Sequence, residues 1–378
     1  MNRSHTPPQE YFQQICHVRH AEDLFGPLGA GRDEQLENLE ACFRELIKAY
    51  HPDQFAAVPE TQLCATEITR LLIGLKQQAR RRIQQGLYGQ PAEACRRDYA
   101  SVLRGGCKEI YITELWIEGQ HADLYRGYIH NPPGAMEPYQ DVVVKIIANP
   151  SDNPLMENEL AVYEALAHFS LPEYLDSFRT PDRRQALVLG YIPGGYDLLE
   201  LRQRYARQYG AAGLPQQHVA WILDRCLAVL GLLHSRRILH GDLQPDNLVV
   251  QPATHNVFLL DFLHSRINPA SSDLLEPLNP DFCAPEVCSQ RFKPHPVSDI
   301  YALGKCMLYL LGGEAPARIP GLHPELARFF LKMIHPDPLF RAADAWQLAA
   351  ELSTLRQRCF GAAHQFIPLE IGGPDGRR

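Results

Sequence analysis

Apolar residues recur at helical spacing in the first ninety residues of the chain. Over residues 33–50 they lie three or four positions apart, which places them on one face of a helix. These positions are Leu36, Leu39, Phe43, Leu46, Ile47 and Tyr50. A second helical pattern covers about residues 60–83, with Leu63, Ile68, Leu71, Leu72 and Leu75 as its apolar members. The spacing predicts two helices that form a hairpin.

The tripeptide His51-Pro52-Asp53 separates these two helical patterns. A proline disfavours helical backbone at the residue that precedes it, so the first helix is expected to end here. Taken alone, the tripeptide is explained as well by an ordinary helix-ending turn as by a functional loop.

The rest of the chain changes from strand-like to helical patterns. Residues 91–107 are predicted to be a linker, because their periodicity is weak and glycines occur around them. Three strand-like runs follow at residues 112–117, 123–129 and 141–148. A helical pattern covers residues 157–169, and helices predominate after residue 215. A strand-rich part followed by a helix-rich part predicts an α+β fold with two lobes.

Composition narrows the classes of function. The 378 residues are 45% apolar and 21% charged, as is typical of soluble globular proteins. The apolar runs are far shorter than the roughly 20 residues that a bilayer span requires, so no membrane crossing is expected. A net charge of −7 argues against nucleic acid as a partner. The first residues lack the apolar core of a secretory signal, which predicts a cytoplasmic protein.

Lys145 lies inside the β-branched run VVVKII, where a buried ammonium needs an anionic partner. The helical pattern that follows offers Glu157, Glu159 and Glu164, and Glu159 at the start of that pattern is the preferred partner. A lysine held by a glutamate can contact nucleotide phosphates. The alternative is a lysine on an edge strand whose ammonium reaches into water.

The stretch ILHGDLQPDNLVV at residues 238–250 places polar residues between two short apolar runs. Asp242 and Asn247 lie in this loop, and Asp261 follows the next apolar run. Loops held at strand ends often carry chemistry, but the same residue types also dominate simple turns. Two carboxylates and an amide at neighbouring strand ends suit magnesium, which prefers oxygen ligands. The residues alone leave a turn and an active site as alternatives.

Seven motifs occur in the order found in protein kinases, and the chain resembles that family over residues 108–358. The motifs are VVVK with Lys145, Glu159, HGDLQPDN, DFL, Ala284-Pro285-Glu286, the pair Asp299 and Gly304, and Arg341. The resemblance implies an N-lobe built on an antiparallel sheet and a mainly helical C-lobe. It also implies that Glu286 and Arg341 form a structural ion pair and that Asp299 braces the catalytic loop. Sugar and aminoglycoside phosphotransferases share the HGD sequence but resemble the chain less in these last motifs.

The resemblance implies ATP and Mg²⁺ as cofactors and assigns roles to residues of the catalytic centre. Asp242 would accept or orient the proton of the attacking hydroxyl, while Asn247 and Asp261 would hold Mg²⁺. Lys145, paired with Glu159, would contact the α- and β-phosphates of ATP.

Further nucleotide contacts are implied in a glycine-rich loop and in a hinge. In the loop, WIEGQHADLY, Gly119 is a family glycine, whereas Ile117 and Ala122 stand where the family has two more. The hinge, VLGYIPGG, would offer backbone groups to adenine. The hinge residues with this role are Gly190, Tyr191 and Ile192.

Three positions near the catalytic residues depart from the kinase pattern. Gln244 replaces a lysine, and Leu263 replaces the glycine of the Asp-Phe-Gly motif. Gly241 replaces an arginine that would bind a phosphate, which suggests activity that is independent of activation-loop phosphorylation.

The first region resembles the J-domain of DnaJ-type co-chaperones over residues 20–90. The resemblance rests on DLFGPLG, on the helical pattern that ends at HPD, and on GLYG at residues 86–89. It implies that His51, Pro52 and Asp53 bind a DnaK-type chaperone. The corresponding helix is basic in that family, but residues 33–50 carry five acidic and two basic side chains here. Electrostatic docking should therefore be weaker than in the family.

The predicted organisation has five parts: an N-terminal extension (1–19), a J-domain-like hairpin (20–90), a linker (91–107), a protein-kinase-like domain (108–358) and a tail (359–378). The predicted function is transfer of the γ-phosphate of ATP to Ser or Thr hydroxyls of a protein substrate, with a chaperone recruited by the J-domain. Two alternatives stay open, a pseudokinase adaptor that acts through its J-domain and a small-molecule phosphotransferase.

Overall fold

A computed structural model describes residues 6–15, 18, 21–50, 52–55, 59–84, 86, 88–89, 98–106, 108–132, 138–270, 275–289, 295–361 and 368–371. The fold divides into two compact units. The first unit comprises Met1–Ala148, Ala167–Phe169 and Glu173–Tyr191, and the second comprises Asn149–Leu166, Ser170–Pro172 and Ile192–Arg378.

The first unit begins with helices. They are α1 (Pro8–Ile15), α2 (Ala21–Phe25), α3 (Arg32–Tyr50) and α4 (Pro59–Gln84). The 3₁₀ turn Pro52–Phe55 lies between α3 and α4. Helices α3 and α4 pack against each other and end within one residue of the limits that the apolar spacing predicted.

These helices share one apolar core. Leu39 of α3 and Ile68 and Leu72 of α4 are buried in it. Tyr11 and Phe12 of α1 belong to the same core, and the Tyr11 ring stacks on Tyr50 with centroids 4.2 Å apart. Helix α1 is therefore part of this core, although residues 1–19 were predicted to be a separate N-terminal extension. An eight-residue helix carries too little local signal to be recognised without the surface that it covers.

Phe169 is also part of this helical core. Its ring meets that of Phe12 edge-on, with centroids 5.5 Å apart. The sequence pattern placed Phe169 at the end of a helix, but helix α5 covers Asn153–Ala165 and ends four residues earlier. Phe169 thus serves the packing of the N-terminal helices and does not extend α5.

The first unit continues with a six-stranded antiparallel sheet. Its strands are β1 (Ser101–Arg104), β2 (Glu109–Ile117), β3 (Ala122–His130), β4 (Tyr139–Ile147), β5 (Tyr174–Arg179) and β6 (Gln185–Gly190). Their order is β1-β2-β3-β4-β6-β5. A methyl group on Gly105 would lie 2.4 Å from the Asp176 carboxylate, so the turn after β1 closely approaches β5 at the other edge. The sheet is therefore curled, as expected for a kinase-like N-lobe.

The curled sheet encloses an apolar core on one face. Val142, Val144 and Ile146 of β4 point into this core, and the alternation of a strand sends Val143 and Lys145 to the opposite face. Strand β1 pairs with β2 in the register Val102↔Tyr111, although residues 91–107 were predicted to be a linker. Four residues are too few to be recognised as a strand without their partner.

The second unit is mainly helical. Besides α5 it contains β7 (Tyr196–Asp197), α6 (Leu198–Tyr209), α7 (Gln216–Ser235), β8 (Ile238–Leu239), β9 (Leu248–Gln251), β10 (Asn256–Leu259), β11 (Arg266–Ile267), α8 (Pro285–Cys288), α9 (Pro296–Leu310), α10 (Pro324–Met333) and α11 (Ala345–Phe360). Helix α7 is apolar on most sides and largely buried, which is typical of a central helix. Helix α6 begins at Asp197, whose side chain accepts the Glu200 amide N–H at 2.7 Å.

The C-terminal end of the chain also departs from the predicted boundaries. Helix α11 continues to Phe360, beyond the predicted end of the domain at residue 358. Leu369 is buried, and the Tyr209 hydroxyl of α6 donates to the Glu370 carbonyl at 3.0 Å. Residues 368–371 are therefore packed against the helical unit. None of the helices in the described ranges has the length and apolar character of a membrane-spanning segment.

Candidate active site

The loop between β8 and β9 is braced by Asp299 of α9. The two carboxylate oxygens of Asp299 accept the backbone N–H groups of His240 and Gly241, each at 3.0 Å. His234 Nε2 lies 2.9 Å from the same carboxylate. Burial alone would raise the pKa of Asp299, but the hydrogen bonds and the charge of His234 outweigh it and lower the pKa. The predicted bracing role of Asp299 is present in the structure.

His240 connects this loop to the strand that leads to Asp261. Its side chain is fully buried; Nε2 donates to the Leu260 carbonyl at 3.0 Å, and Nδ1 accepts the Asp242 N–H at 3.3 Å. Burial lowers the pKa of His240, which favours the neutral ring that this donor and acceptor pattern requires.

Asp242 is held by two side-chain amides of its own loop. Asn247 Nδ2 and Gln244 Nε2 each lie 3.1 Å from Asp242 Oδ2, and Asn247 Nδ2 also donates to the Asp242 carbonyl at 2.9 Å. Burial and the nearby charges of Asp261 and Asp246 raise the pKa of Asp242 to about 7, although both amide bonds act to lower it. The carboxylate is thus oriented and able to accept a proton near neutral pH.

Asn247 and Asp261 lie at the paired ends of two strands. Strands β9 and β10 pair in the register Leu248↔Leu259, and the Leu260 N–H donates to the Asn247 carbonyl at 2.9 Å. Asp261 has a φ of 62°, which is rare for a residue with a side chain and occurs preferentially at functional sites. The structure therefore brings together the ends of β9 and β10, as the sequence predicted.

The donor atoms at these strand ends fit a magnesium ion. Both contacts of Asn247 Nδ2 go to Asp242, so Asn247 Oδ1 faces the other way. One amide oxygen and one carboxylate supply few protein ligands, and Mg²⁺ typically completes its shell with water and substrate phosphates. Within the described part of the chain, no group of three or more His, Cys, Asp or Glu side chains is arranged to hold a metal. A cage made of protein ligands alone is thus not formed by these residues.

Helix α5 places Glu159 in the interior. Glu159 is 1% exposed, whereas Glu157 and Glu164 of the same helix are exposed. Tyr163, one turn further, packs edge-on against Phe262, and burial together with the charges of Glu159 and Asp261 raises its pKa. The structure thus singles out Glu159 among the three candidate glutamates.

Lys145 lies in the first unit, on the face of the sheet opposite the apolar core. It pairs with Leu124 of β3 and with Leu187 of β6, so β4 is a central strand. The side chain is 6% exposed. These facts contradict the alternative of a lysine on an edge strand with its ammonium in water. The pairing of Lys145 with Glu159, which belongs to the second unit, stays a prediction.

The glycine-rich loop and the hinge segment have distinct backbone geometries. A methyl group on Gly119 would lie 2.2 Å from the Ala122 carbonyl, so only glycine fits this turn.

In the hinge, the N–H groups of Gly190 and Tyr191 already donate to the carbonyls of Glu173 and Asp141. Those two amides are therefore occupied within the chain. The predicted contact of the hinge with adenine stays a prediction.

Arg126 and Trp116 lie near the hinge residue Tyr191, and the sequence analysis did not identify either of them. The guanidinium of Arg126 lies 4.4 Å from the Trp116 ring centroid and 5.5 Å from that of the hinge residue Tyr191. Arg126 lies opposite Val143 in the sheet register, on the same face as Lys145. Because Trp116 belongs to β2, Arg126 to the middle of β3 and Tyr191 to the segment after β6, no local pattern in the sequence connects them.

Glu286 and Arg341 form the predicted ion pair. Arg341 NH1 and NH2 lie 2.6 and 3.0 Å from the two oxygens of Glu286, and the side chains of Arg341 and Glu286 are 0% and 2% exposed. Three further bonds join the guanidinium to the carbonyls of Val297 and His335. Burial acts to raise the pKa of Glu286, but Arg341 lowers it below the ordinary value.

The predicted chaperone-binding tripeptide is only partly described. Pro52 and Asp53 open the Pro52–Phe55 turn, and His51 lies outside the described residues. A groove beside this turn is lined by Phe43, Arg44, Ile47, Lys48 and Gln54.

Comparisons with known proteins concern the larger part of the chain. A family model described as the protein kinase domain matches residues 136–341, more than half of the chain. This match does not include the helical region over residues 20–90.

Several curated protein kinases are similar to a large part of the chain. Serine/threonine-protein kinase 36 of Pongo abelii is 25% identical over 289 residues, which cover 71% of this chain and 20% of that protein. CBL-interacting protein kinase 25 of Oryza sativa subsp. japonica is 26% identical over 253 residues, 58% of this chain and 46% of its own length. Myosin light chain kinase 3 of Rattus norvegicus is 28% identical over 172 residues, 45% and 21% respectively. The chain spans less than half the length of each of these relatives.

Proposed function

Because the chain belongs to the protein kinase family, which the match over residues 136–341 establishes, we propose that it transfers the γ-phosphate of ATP to serine or threonine hydroxyls of protein substrates. The observation that carries this proposal is the geometry around Asp242. Its carboxylate is oriented by Gln244 and Asn247 and lies in a loop joined to the strand that leads to Asp261. The match over residues 136–341 confirms the predicted membership of the protein kinase family for this part of the chain.

In this mechanism the protein mainly positions groups and offsets charge. Asp242 accepts or orients the proton of the attacking hydroxyl. Asn247 and Asp261 would hold Mg²⁺, which would supply positive charge to offset the charge of the transferring phosphoryl group. Lys145 holds the α- and β-phosphates, with Glu159 as its counter-ion. Ile192 and the neighbouring hinge backbone recognise adenine.

Two other functions compete with this proposal. A small-molecule phosphotransferase would use the same aspartate on a sugar or aminoglycoside hydroxyl. A pseudokinase adaptor would bind partners without transferring phosphate, and Gln244 and Leu263 favour it because they depart from the kinase pattern. The retained Lys145, Asp242, Asn247 and Asp261 favour catalysis.

A transfer assay with γ-labelled ATP separates the three functions. The full chain is incubated with Mg²⁺ and a generic acceptor protein, or with a panel of sugars and aminoglycosides. We expect label on serine or threonine of the acceptor protein, and no transfer after the metal is removed with EDTA. Label on the small molecules alone would identify the phosphotransferase. No transfer to any acceptor, with nucleotide still bound, would support the adaptor.

We further propose that the N-terminal helices recruit a DnaK-type chaperone in the cytoplasm. The groove beside Pro52–Phe55 supports this proposal, since Phe43 and Ile47 give it an apolar floor and Arg44 and Lys48 give it positive charge. Helix α3 as a whole is acidic, but two of its three basic residues, Arg44 and Lys48, line this groove. Gln54 Nε2 donates to the Lys48 carbonyl at 2.7 Å and joins the turn to the end of α3.

The recruitment proposal predicts a change in the ATPase rate of a DnaK-type chaperone. The full chain is expected to raise this rate, and its His51→Gln variant is expected to raise it less. A Lys48→Glu variant should also be weaker, because it removes positive charge from the groove. Equal chaperone rates with all three proteins would contradict recruitment through this loop, whatever the outcome of the kinase assay.

A further inference from the structure

The segment at residues 275–284 is joined to the catalytic carboxylate by a chain of side-chain amides. Asn279 Nδ2 donates to Gln244 Oε1 at 2.9 Å, and Gln244 Nε2 donates to Asp242 Oδ2 at 3.1 Å. The two amides thus form a continuous series of hydrogen bonds, here called the amide relay, from this segment to Asp242.

Asn279 is held in a defined turn. Its backbone carbonyl accepts the N–H groups of Phe282 and Cys283 at 3.2 and 2.8 Å, and its Oδ1 accepts the Asp281 N–H at 3.2 Å. With its oxygen engaged in the turn, the amide nitrogen is directed to Gln244. Asn247 donates to the same Oδ2 atom of Asp242. The orientation of the Asp242 carboxylate is therefore determined by two side-chain amides.

The amide relay requires an amide at position 244. Gln244 donates to a carboxylate and accepts from an amide at the same time, which a lysine ammonium cannot do because it has donors only. A lysine there would leave Asn279 Nδ2 facing another donor. Gln244 and Asn279 are thus chemically matched to each other, 35 residues apart.

The start of this segment, at Leu275, also packs close to the backbone of Gly241. Gly241 has a φ of +79°, and a methyl group on it would lie 2.6 Å from the His264 carbonyl and 3.3 Å from Leu275 Cδ2. The space beside Gly241 is thus filled by the chain itself, and a side chain that binds a phosphate does not fit there. The segment is anchored at Leu275 by packing and at Asn279 by the amide relay.

We propose that Gln244 and Asn279 are a pair of positioning residues that orient Asp242 and anchor residues 275–284. This inference rests on the proposed kinase function and identifies two residues that hold Asp242 in place. In an enzyme active site, misplacement of a reacting group by about 1 Å costs up to about a hundredfold in rate.

The test compares single and double variants of the full chain. Gln244→Ala and Asn279→Ala are each expected to lower kcat by about tenfold to a hundredfold, with little change in KM for ATP, because the loss concerns orientation of the base. The double variant should be no slower than the slower single variant, since the two residues act as one unit. Gln347→Ala, which removes an exposed amide on α11, serves as the matched control.

Rescue separates positioning from a general structural role. Gln244→Lys alone should be as slow as Gln244→Ala, whereas Gln244→Lys combined with Asn279→Asp should recover most of kcat, because the new carboxylate accepts from the ammonium. Additive losses in the double alanine variant, or failure of the charged pair to rescue, would each overturn the inference. An inactive wild-type protein would instead overturn the proposed function.

Discussion

Phosphoryl transfer by the Asp242→Asn variant is expected to fall by about 10²- to 10⁴-fold, the usual contribution of a positioned general base. The asparagine oxygen can accept the same bonds from Gln244 and Asn247, so the loop should keep its shape. The variant also removes a buried negative charge near Asp261 and Asp246, so its thermal midpoint should be no lower than that of the wild type. Activity is measured with γ-labelled ATP, and folding is measured by thermal unfolding.

Asp182→Asn is a suitable control for this variant. Asp182 is an exposed carboxylate in the turn between β5 and β6, where it binds Arg184. Its replacement should leave the transfer rate within about twofold of the wild type, because surface substitutions away from the site rarely perturb a domain. An Asp261→Ala variant should lose transfer as well, but through weaker Mg²⁺ binding. Transfer that persists at the wild-type rate in Asp242→Asn would mean that another group accepts the proton.

The Glu286→Ala variant is expected to lower the free energy of unfolding by about 3–5 kcal/mol, because it leaves the buried Arg341 guanidinium without its counter-charge. Both side chains of this pair are almost fully buried, and the remaining partners of Arg341 are neutral carbonyls. The measurement is chemical denaturation of the full chain at neutral pH.

An exposed ion pair in the same unit gives the matched comparison. Glu314 and Arg318 lie 3.2 Å apart, with the side chains of Arg318 and Glu314 74% and 81% exposed. Glu314→Ala should change the free energy of unfolding by less than about 1 kcal/mol, since water screens exposed pairs. If Glu286→Ala were as mild as Glu314→Ala, the buried pair would not be a structural anchor.

The residues of the catalytic loop could be predicted because their chemistry is concentrated in short motifs. Asp242 and Asn247 lie five residues apart in one loop, and Asp261 follows the next strand pair. Glu159 was preferred over Glu157 and Glu164 because it lies at the start of the helical pattern, and the kinase resemblance gave the same residue. Among the three glutamates, only Glu159 is buried. Such positions can be predicted from the sequence because two strands that follow each other in the chain usually pair, and pairing brings the residues at their ends together.

Other contacts could not be predicted because their partners are far apart in the chain. Asn279 contacts Gln244, which lies 35 positions earlier in the chain. Arg126 contacts Trp116 and Tyr191 because strand pairing in the sheet brings these three residues together. Phe169 was placed in a helix because its neighbours fit a helical pattern, yet its ring packs on Phe12. Apolar spacing reveals that a residue is buried but not which surface covers it.

The sequence by itself determined the long helices α3 and α4, the central strands, the kinase family and the motif residues Lys145, Glu159, Asp242, Asn247 and Asp261. Periodicity and motif spacing are local properties of the sequence, so they can be recognised without knowledge of the fold. The tertiary structure decided that β1 joins the sheet and that α1 and Phe169 complete the helical core. It also decided that Asn279 is joined to Asp242 through Gln244. These features depend on close packing and on hydrogen bonds between residues distant in sequence, whose partners are known only once the chain has folded.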